Sequence, residues 1–258
     1  MTLSLRFARP LLLSCALSLG AVSAASAQAG FTAEQRTEIG GIIRDYLVKN
    51  PEVLQEAIAE LDRRQAEAQK KAQGAALAEV RDDVVSGKHG VVLGNPDGTA
   101  TLVEFFDYNC GYCKRALSDL RGLMKADPKL RVVLRDLPVL GPDSVEAAKV
   151  AVAAKSQLAG EKAFEYHARL LESRGRVGGE QALALAKSMG LDMDRIHKDM
   201  AGADVAATIT GNTHLAERLG MTGTPAYVVG DEVISGAVGL PTLQQAIETA
   251  RANSAKKG

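Results

Sequence analysis

Residues 101–113 read TLVEFFDYNCGYC: an almost continuous apolar run at 101–107 is followed by two cysteines separated by two residues. Such a run is typical of a strand that is buried at the centre of a sheet. Leucines with helical spacing follow directly, at Leu117, Leu120 and Leu123. Cys110 and Cys113 are therefore predicted to lie where a buried central strand gives way to a helix.

This position at the start of a helix predicts reactive sulfur chemistry. The unpaired N–H groups and the positive dipole end of the helix would face Cys110 and stabilise its thiolate, the nucleophile in disulfide exchange. In C-x-x-C motifs of this kind the pKa of the first thiol falls from about 8.5 to between about 3.5 and 7.5. Cys113 lies one turn further on, shielded and close enough to attack a mixed disulfide at Cys110. We predict that both cysteines are catalytic and form a redox-active disulfide.

Other uses of a cysteine pair fit this sequence less well. A structural zinc site needs four ligands at short spacing, whereas the histidines are scattered, at His89, His167, His197 and His214. An inert disulfide that closes so small a ring would constrain little of the unfolded chain. A soft-metal site, such as Cu(I) held by two thiolates, stays open because it does not exclude redox activity. The prediction is a site without a resident metal or other cofactor.

From residue 91 onward the chain alternates between strand and helix patterns. Further strands are predicted at 91–93, 131–134, 226–229 and 232–234, and a helical stretch rich in Ala and Leu fills 142–219. This is an α/β layer pattern with a helical insertion in its middle. Thr224-Pro225, directly before the strand at 226–229, is a candidate cis peptide.

Residues 1–27 have the pattern of a secretory signal peptide. Arg6 and Arg9 precede a short apolar run, and Ala25-Ser26-Ala27 is an A-x-A cleavage site. An uncleaved anchor and a lipoprotein acylated at Cys15 are the alternatives. Export would place the C-x-x-C pair in an oxidising compartment, where disulfides persist, and the leader suits a bacterial periplasm. We expect no membrane insertion after cleavage.

Residues 31–85 have a helical pattern without strand signals. Thr32 and Gln35 form a capping-box sequence, and Asn50-Pro51 is expected to restart the helix, with Asn50 as N-cap and Pro51 at the first helical position. Two apolar stripes have helical spacing: Ile39, Ile42, Ile43, Tyr46 and Leu47 in the first helix, and Leu54, Ala57, Ile58 and Leu61 in the second.

Two short amphipathic helices cannot bury such stripes alone. They pack either against the catalytic domain of the same chain or against the same helices of sister chains. A polar, helix-forming connector over residues 62–71 would hold the stripes away from the rest of the chain, which favours self-association. We therefore predict a homo-oligomer assembled through the N-terminal helices.

Composition excludes two broad classes of function. The 258 residues include 31 Lys and Arg and 31 Asp and Glu, so the formal net charge is zero. This balance argues against nucleic-acid binding, which needs a basic surplus. A hydrophobic content of 46% together with zero net charge argues against intrinsic disorder.

The order of these motifs resembles a known fold. A strand, a C-x-x-C motif, a helix and a later Thr-Pro before a hairpin resemble the thioredoxin fold. The 112 positions from Cys113 to Pro225 resemble the DsbA architecture, in which a helical domain is inserted into that fold. The segments EFFDYNCGYCKRA, RDLPVLGP and NPEVLQEAI are similar to the ScsC group (suppressor of copper sensitivity) of DsbA-like proteins. Gly111-Tyr112 and Thr224 depart from DsbA and are similar to the isomerase DsbC.

The resemblance implies a fold, a domain order and an activity. The fold is an α/β thioredoxin fold with an inserted helical domain, preceded by an N-terminal helical oligomerisation segment. The domains are a signal peptide at 1–27, a helical oligomerisation stalk and linker at 28–85, and a DsbA-like domain at 86–258 with its insertion at about 141–219. The activity is that of a periplasmic thiol–disulfide oxidoreductase, specifically a disulfide isomerase for unfolded or misfolded exported proteins. A DsbA-type dithiol oxidase or reductase, or a copper-binding protein in copper tolerance, is the alternative.

The resemblance also implies residue roles and partners. In thioredoxin folds the cis-proline loop faces the disulfide and binds the substrate backbone, a role that falls here to Thr224 and Pro225. Glu104 occupies the position of the buried acid of DsbA-like proteins and would exchange a proton with the second cysteine, unless it reaches a sheet edge. Tyr112 lies either in the core or at a surface that contacts substrate. A reduced nucleophile requires a membrane reductase of the DsbD type, and the ScsC resemblance makes a trimer the expected homo-oligomer.

Overall fold

The computed structural model describes residues 30–257. The predicted signal peptide at 1–27, with Cys15, lies outside the described residues. The described part of the chain divides into two compact units, one ending at Ala59 and the other beginning at Glu60. In the part of the chain that is described, no helix combines the length and the apolar character needed to span a membrane.

The first unit contains helix α1, Ala33–Lys49, and the start of helix α2, Glu52–Val85. The capping box is present, because the backbone N–H of Gln35 donates to Thr32 Oγ1 at 3.2 Å and that of Thr32 to Gln35 Oε1 at 2.9 Å. Asn50 differs from the prediction: it is the C-cap of α1, and its backbone N and Nδ2 both lie 2.8 Å from the carbonyl oxygen of Tyr46. It satisfies the end of one helix instead of starting the next.

Both predicted apolar stripes are largely exposed within this unit. The side chains of α1 and α2 that leave half or more of their surface to solvent include Ile42, Ile43, Tyr46 and Ile58, and Leu54 is 48% exposed. Exposed apolar side chains at helical spacing mark a surface that another element covers in an assembled protein. The structure describes a single chain, so self-association stays a prediction.

The second unit begins within α2, earlier than predicted. Leu77, Val80 and Val84 are buried in a core shared with residues of the sheet. Their spacing of three and four residues places them on one face of α2. The structure divides between Ala59 and Glu60 and not at the predicted residue 85, so most of α2 belongs to the second unit.

The second unit is built on a five-stranded sheet with the order β1-β3-β2-β4-β5. Strands β2 and β3 are parallel, and the other neighbouring pairs are antiparallel. The strands are β1 Val91–Gly94, β2 Ala100–Phe106, β3 Leu130–Asp136, β4 Ala226–Val229 and β5 Glu232–Ser235. The predicted central strand, residues 101–107, corresponds to β2, which has a neighbour on each side.

Helices cover both faces of the sheet. The remaining helices are α3 Gly111–Ala126, α4 Pro142–Ala154, α5 Gly160–Glu172, α6 Gly179–Ser188, α7 Met193–Met200, α8 Ala203–Arg218 and α9 Leu240–Lys257. Because side chains alternate along a strand, Phe106 packs in a core with the inserted helices and Phe105 in the core with the end of α2. The order of strands and helices is the one that the sequence predicts, with α4 to α8 as the helical insertion between β3 and β4.

Candidate active site

The cysteine motif lies where β2 passes into α3. The Asp107 carboxylate accepts a hydrogen bond from the backbone N–H of Asn109 at 2.7 Å, and the Asp107 carbonyl accepts one from Cys110 N at 3.0 Å. These two bonds close a tight turn. Cys110 is the N-cap residue of α3, and as a thiol it makes no capping hydrogen bond. Both cysteines are free thiols, so the structure describes the reduced protein.

The pKa of the Cys110 thiol is well below its ordinary value in this position. Its sulfur lies 3.1 Å from the carbonyl oxygen of Thr224, to which the thiol can donate. The pKa of Cys110 is lowered to about 5, mainly because the Cys113 thiol donates a hydrogen bond to the Cys110 thiolate. The Thr224 side chain and the N–H groups of Cys113 and Tyr112 lower the pKa further, whereas burial opposes them. Cys110 is therefore a thiolate at neutral pH.

Cys113 has the opposite character. Its side chain is fully buried. The hydrogen bond to Cys110 and the burial raise the pKa of Cys113 well above its ordinary value. The two sulfurs thus differ in ionisation: the thiol of Cys110 ionises readily, and that of Cys113 stays protonated. This is the asymmetry that disulfide exchange through a mixed disulfide requires.

The predicted cis-proline loop lies against Cys110. The Thr224–Pro225 peptide bond is cis, and Pro225 directly precedes β4. The carbonyl of Pro225 accepts a hydrogen bond from Gly236 N at 2.8 Å. Proline has no N–H and the Pro225 carbonyl is engaged, whereas the Thr224 carbonyl is paired with the Cys110 thiol, a donor that is lost when Cys110 ionises.

Glu104 is a buried acid beneath the cysteines. It lies in β2 opposite Tyr227 of β4 and is 2% exposed. Burial, and then the charges of Asp119 and Cys110, raise the pKa of Glu104 to about 8. Its charge in turn contributes to the raised pKa of Cys113. The structure therefore places Glu104 in the sheet interior and in electrostatic contact with both cysteines.

Tyr112 is at the surface and not in the core. Its side chain is 59% exposed, and the guanidinium of Arg115 lies 4.2 Å from the ring centroid. The neighbouring Tyr108 is buried instead, with its ring 5.0 Å from that of Phe106. One tyrosine thus packs beneath the motif and the other is available for contact.

Sequence reasoning missed the polar residues that hold the turn before Cys110. Asp107, Asn109 and Ser144 form a connected network of hydrogen bonds. The sequence contains a signal for the first two, because polar residues directly after an apolar strand are typical of a structured turn. Ser144 had no such signal. Among residues 30–257, no group of three or more His, Cys, Asp or Glu side chains is placed to hold a metal ion.

Two family models match the chain. Residues 101–248 match the DSBA-like thioredoxin domain, and residues 35–68 match the Copper resistance protein ScsC N-terminal domain. The first match covers more than half of the chain and includes both cysteines, Glu104 and the cis-proline loop.

Solved structures agree with these matches. A thioredoxin-like oxidoreductase from Silicibacter pomeroyi is 41% identical, with 67% of this chain and 98% of that chain covered and a TM-score of 0.63. A linker-deletion variant of Proteus mirabilis ScsC is 28% identical, with 88% and 99% covered and a TM-score of 0.65. Among curated proteins, the Na⁺/H⁺ antiporter NhaA 1 of Salinispora arenicola is 30% identical over 165 residues, 63% of this chain but only 25% of the antiporter. The chain thus spans a quarter of the length of that curated relative.

Proposed function

We propose that this chain, which belongs to the family of DSBA-like thioredoxin domains and is a thiol–disulfide oxidoreductase, acts as a disulfide isomerase on misfolded exported proteins. The observation that carries the proposal is the unequal ionisation of Cys110 and Cys113. A mixed disulfide removes the hydrogen bond to the Cys110 thiolate that most raises the pKa of Cys113, but burial still raises this pKa and favours the protonated thiol. Resolution by Cys113 is then slow, and a thiol of the bound client protein has time to attack first.

Isomerisation breaks one client disulfide and forms another, so the client is neither oxidised nor reduced overall. The Cys110 thiolate attacks one sulfur of a wrong client disulfide, a Cys110–client disulfide forms, and the other client sulfur leaves as a thiolate. A different client thiolate then attacks the client sulfur of that mixed disulfide. The new client disulfide forms, and Cys110 is released as a thiolate. A proton is needed only by client thiolates that remain unpaired.

Reduction is the competing outcome of the same intermediate. Cys113 loses its proton and attacks Cys110, which forms the Cys110–Cys113 disulfide and releases the client as a thiolate. We assign acceptance of the Cys113 proton to the Glu104 carboxylate, because a carboxyl group with a pKa of about 8 exchanges protons readily near neutral pH. The oxidised protein then needs two electrons, which we assign to a membrane reductase of the DsbD type.

Client binding involves the loop and the tyrosine that border Cys110. Thr224 carries backbone groups next to the Cys110 sulfur, so it is suited to pair with an extended client strand in the manner of a β-ladder. The exposed ring of Tyr112 would contact apolar side chains beside the client cysteine. Pro225 fixes the loop in which Thr224 lies.

The N-terminal helices support a homo-oligomer, which we take to be a trimer. Their exposed apolar stripe, which includes Ile42, Tyr46 and Ile58, gives sister chains a surface to bury, and residues 35–68 match the ScsC N-terminal model. Several active sites on one assembly would let a client be attacked repeatedly, since tethering raises the effective concentration of the second site. The predicted signal peptide at 1–27 supports a periplasmic location.

The test compares two reactions of the same protein. Refolding of scrambled ribonuclease measures isomerase activity, and oxidation of reduced ribonuclease measures oxidase activity. We expect faster recovery of native enzyme from the scrambled form, with Cys110→Ser inactive in both assays and Cys113→Ser retaining isomerisation. Faster oxidation than isomerisation, together with an oxidised Cys110–Cys113 pair in cells, would instead support the oxidase alternative.

A copper-binding function is the second candidate, because two adjacent sulfurs are suitable ligands for Cu(I) and hydrogen bonding places the Cys110 and Cys113 sulfurs next to one another. Titration of the reduced protein with Cu(I) under a competing chelator tests it. Copper binding that is lost in Cys110→Ser and in Cys113→Ser would support this candidate. If the chelator keeps all of the copper in the presence of the reduced protein, the copper-binding function is refuted.

A further inference from the structure

The Asp107 carboxylate accepts four hydrogen bonds, of which only the one from Asn109 N closes the turn. Its buried carboxylate accepts from Asn109 N at 2.7 Å and Ser144 Oγ at 2.8 Å through Oδ1. Through Oδ2 it accepts from Val139 N at 2.9 Å and Leu140 N at 3.0 Å. A carboxylate is buried at low cost only where its oxygens are hydrogen-bonded in this way. Asp107 thereby joins the turn before the nucleophile to the segment that leads from β3 into α4.

Asn109 and Ser144 extend this network into the helical insertion. Asn109 Nδ2 donates to Ser144 Oγ at 3.0 Å and to the carbonyl of Val177 at 2.9 Å, and Asn109 Oδ1 accepts from Val177 N at 2.7 Å. Ser144 lies in the first turn of α4 and Val177 lies shortly before α6. The turn that carries Cys110 is therefore hydrogen-bonded to the insertion at Ser144 and at Val177.

The segment held by Asp107 presents apolar side chains to solvent. Val139 is 51% and Leu140 43% exposed. Together with Tyr112, they are the exposed large hydrophobic side chains of the described chain after α2. The backbone of this segment is fixed, because Asp107 holds both N–H groups and the Arg176 guanidinium donates to the carbonyl of Leu140 at 3.0 Å. A fixed backbone with exposed apolar side chains is a preorganised contact surface.

We propose that Asp107 is a positioning residue that holds Val139 and Leu140 beside the nucleophile as the contact surface for an extended apolar segment of a client protein. This inference rests on the proposed function, since it assumes that clients react at Cys110. The client segment must be extended because Cys110 is only 6% exposed, and a sulfur so recessed is reached by a flexible chain and not by a folded surface.

Asp107→Asn is the variant that separates positioning from chemistry. An amide can accept hydrogen bonds at one oxygen only, so its NH₂ group must face either the Asn109 N–H or the two N–H groups of the 139–140 segment. The first arrangement leaves the Asn109 N–H without its acceptor and disturbs the turn, and the second leaves the N–H groups of Val139 and Leu140 without theirs and loosens the segment. Asp107 is not among the groups that lower the pKa of Cys110, so the pH profile of Cys110 alkylation tells an effect on the segment from an effect on the nucleophile.

The assay uses a short peptide whose single cysteine forms a disulfide with glutathione, flanked by leucines or, in a matched peptide, by serines. The Cys110 thiolate attacks the peptide sulfur, glutathione leaves, and Cys113 resolves the mixed disulfide, so the protein dithiol is oxidised and the peptide and glutathione are reduced. Single-turnover rates measured over a range of protein concentrations give a limiting rate and a half-saturating concentration.

For Asp107→Asn we expect the half-saturating concentration for the leucine peptide to rise about tenfold, since one or two hydrogen bonds of a buried carboxylate are lost. The half-saturating concentration for the serine peptide rises less than that for the leucine peptide, because serine side chains make no apolar contact with Val139 and Leu140. Val139→Ser with Leu140→Ser produces the same change, and adding Asp107→Asn to that pair changes nothing more. Ser144→Ala, a milder change, moves the value in the same direction. Asp97→Asn, at an exposed turn, is the matched control and has no effect.

Two results would overturn the inference. One is an additive effect of Asp107→Asn and the Val139 and Leu140 substitutions, which would mean that Asp107 acts elsewhere. The other is a shifted alkylation profile with an unchanged half-saturating concentration. Failure of the unmodified protein to react with either peptide would refute the proposed function instead, because that reaction needs only the Cys110 thiolate.

Discussion

The hydrogen bond between the two sulfurs is the largest contribution to the acidity of Cys110, and Cys113→Ala removes it. A hydrogen bond to a charged group contributes about 1.5–3 kcal/mol, and a thiol is a weak donor, so the lower end applies. About 1.4 kcal/mol corresponds to one pKa unit. We therefore expect the pKa of Cys110 to rise by about one unit from its value of about 5.

The ultraviolet absorbance of the thiolate, followed as a function of pH, measures this change directly. The pKa of Cys113 is raised well above its ordinary value in the unmodified reduced protein, so the signal between pH 4 and 8 comes from Cys110. At pH 5 the thiolate fraction should fall from about a half to about a tenth in the variant, and above pH 8 the two proteins should be equal.

Cys113→Ser is the matched control, because its hydroxyl keeps a donor at the same position. The serine variant should retain a pKa close to that of the unmodified protein. An alanine variant that titrates like the serine variant would refute the reasoning, since the thiolate would then be stabilised by backbone N–H groups and Thr224 without help from the second sulfur.

Three further predictions test other parts of the molecule. Thr224→Val removes a hydroxyl that lowers the pKa of Cys110, so the titration midpoint should move to higher pH, and an unchanged midpoint would contradict the assigned role. Glu104 has a pKa of about 8 when folded and near 4.5 when unfolded, so between these values folding takes up a proton and the free energy of unfolding falls by up to about 1.4 kcal/mol per pH unit as pH rises. Denaturant unfolding of Glu104→Gln at several pH values should show a shallower decline, and an identical decline would count against a buried titrating acid. Ile42→Asp, on the exposed stripe of α1, should lower the oligomeric state in sedimentation, whereas Val48→Asp, at an exposed position on the opposite face of the same helix, should not.

Local patterns in the sequence predicted the elements that carry the site. The apolar run ending at Phe106 and the leucines after Cys113 define a strand and a helix through their own periodicity, and the junction between them is where the cysteines lie. The capping box at Thr32 is equally local, because both of its hydrogen bonds join residues three positions apart.

Errors arose where one residue type serves two local purposes. Asn50 before a proline is a plausible N-cap, yet the same side chain can close the preceding helix, and only the backbone path decides between the two. A second difference concerns the end of α2, because residues 28–85 are predicted as stalk and linker and polar residues dominate the connector at 62–71. Leu77, Val80 and Val84 nevertheless supply one apolar face, and the sheet that covers this face comes later in the chain.

The sequence alone determined that this protein carries a thiol pair at the start of a helix within a thioredoxin-like fold, because that information lies in neighbouring residues. The tertiary structure decided how reactive each sulfur is and what surrounds it. Thr224 reaches Cys110 across 114 positions, and Asn109 reaches Val177 across 68. Such contacts depend on how the sheet and the insertion pack, and no local pattern specifies which distant donors will meet a given thiolate or carboxylate.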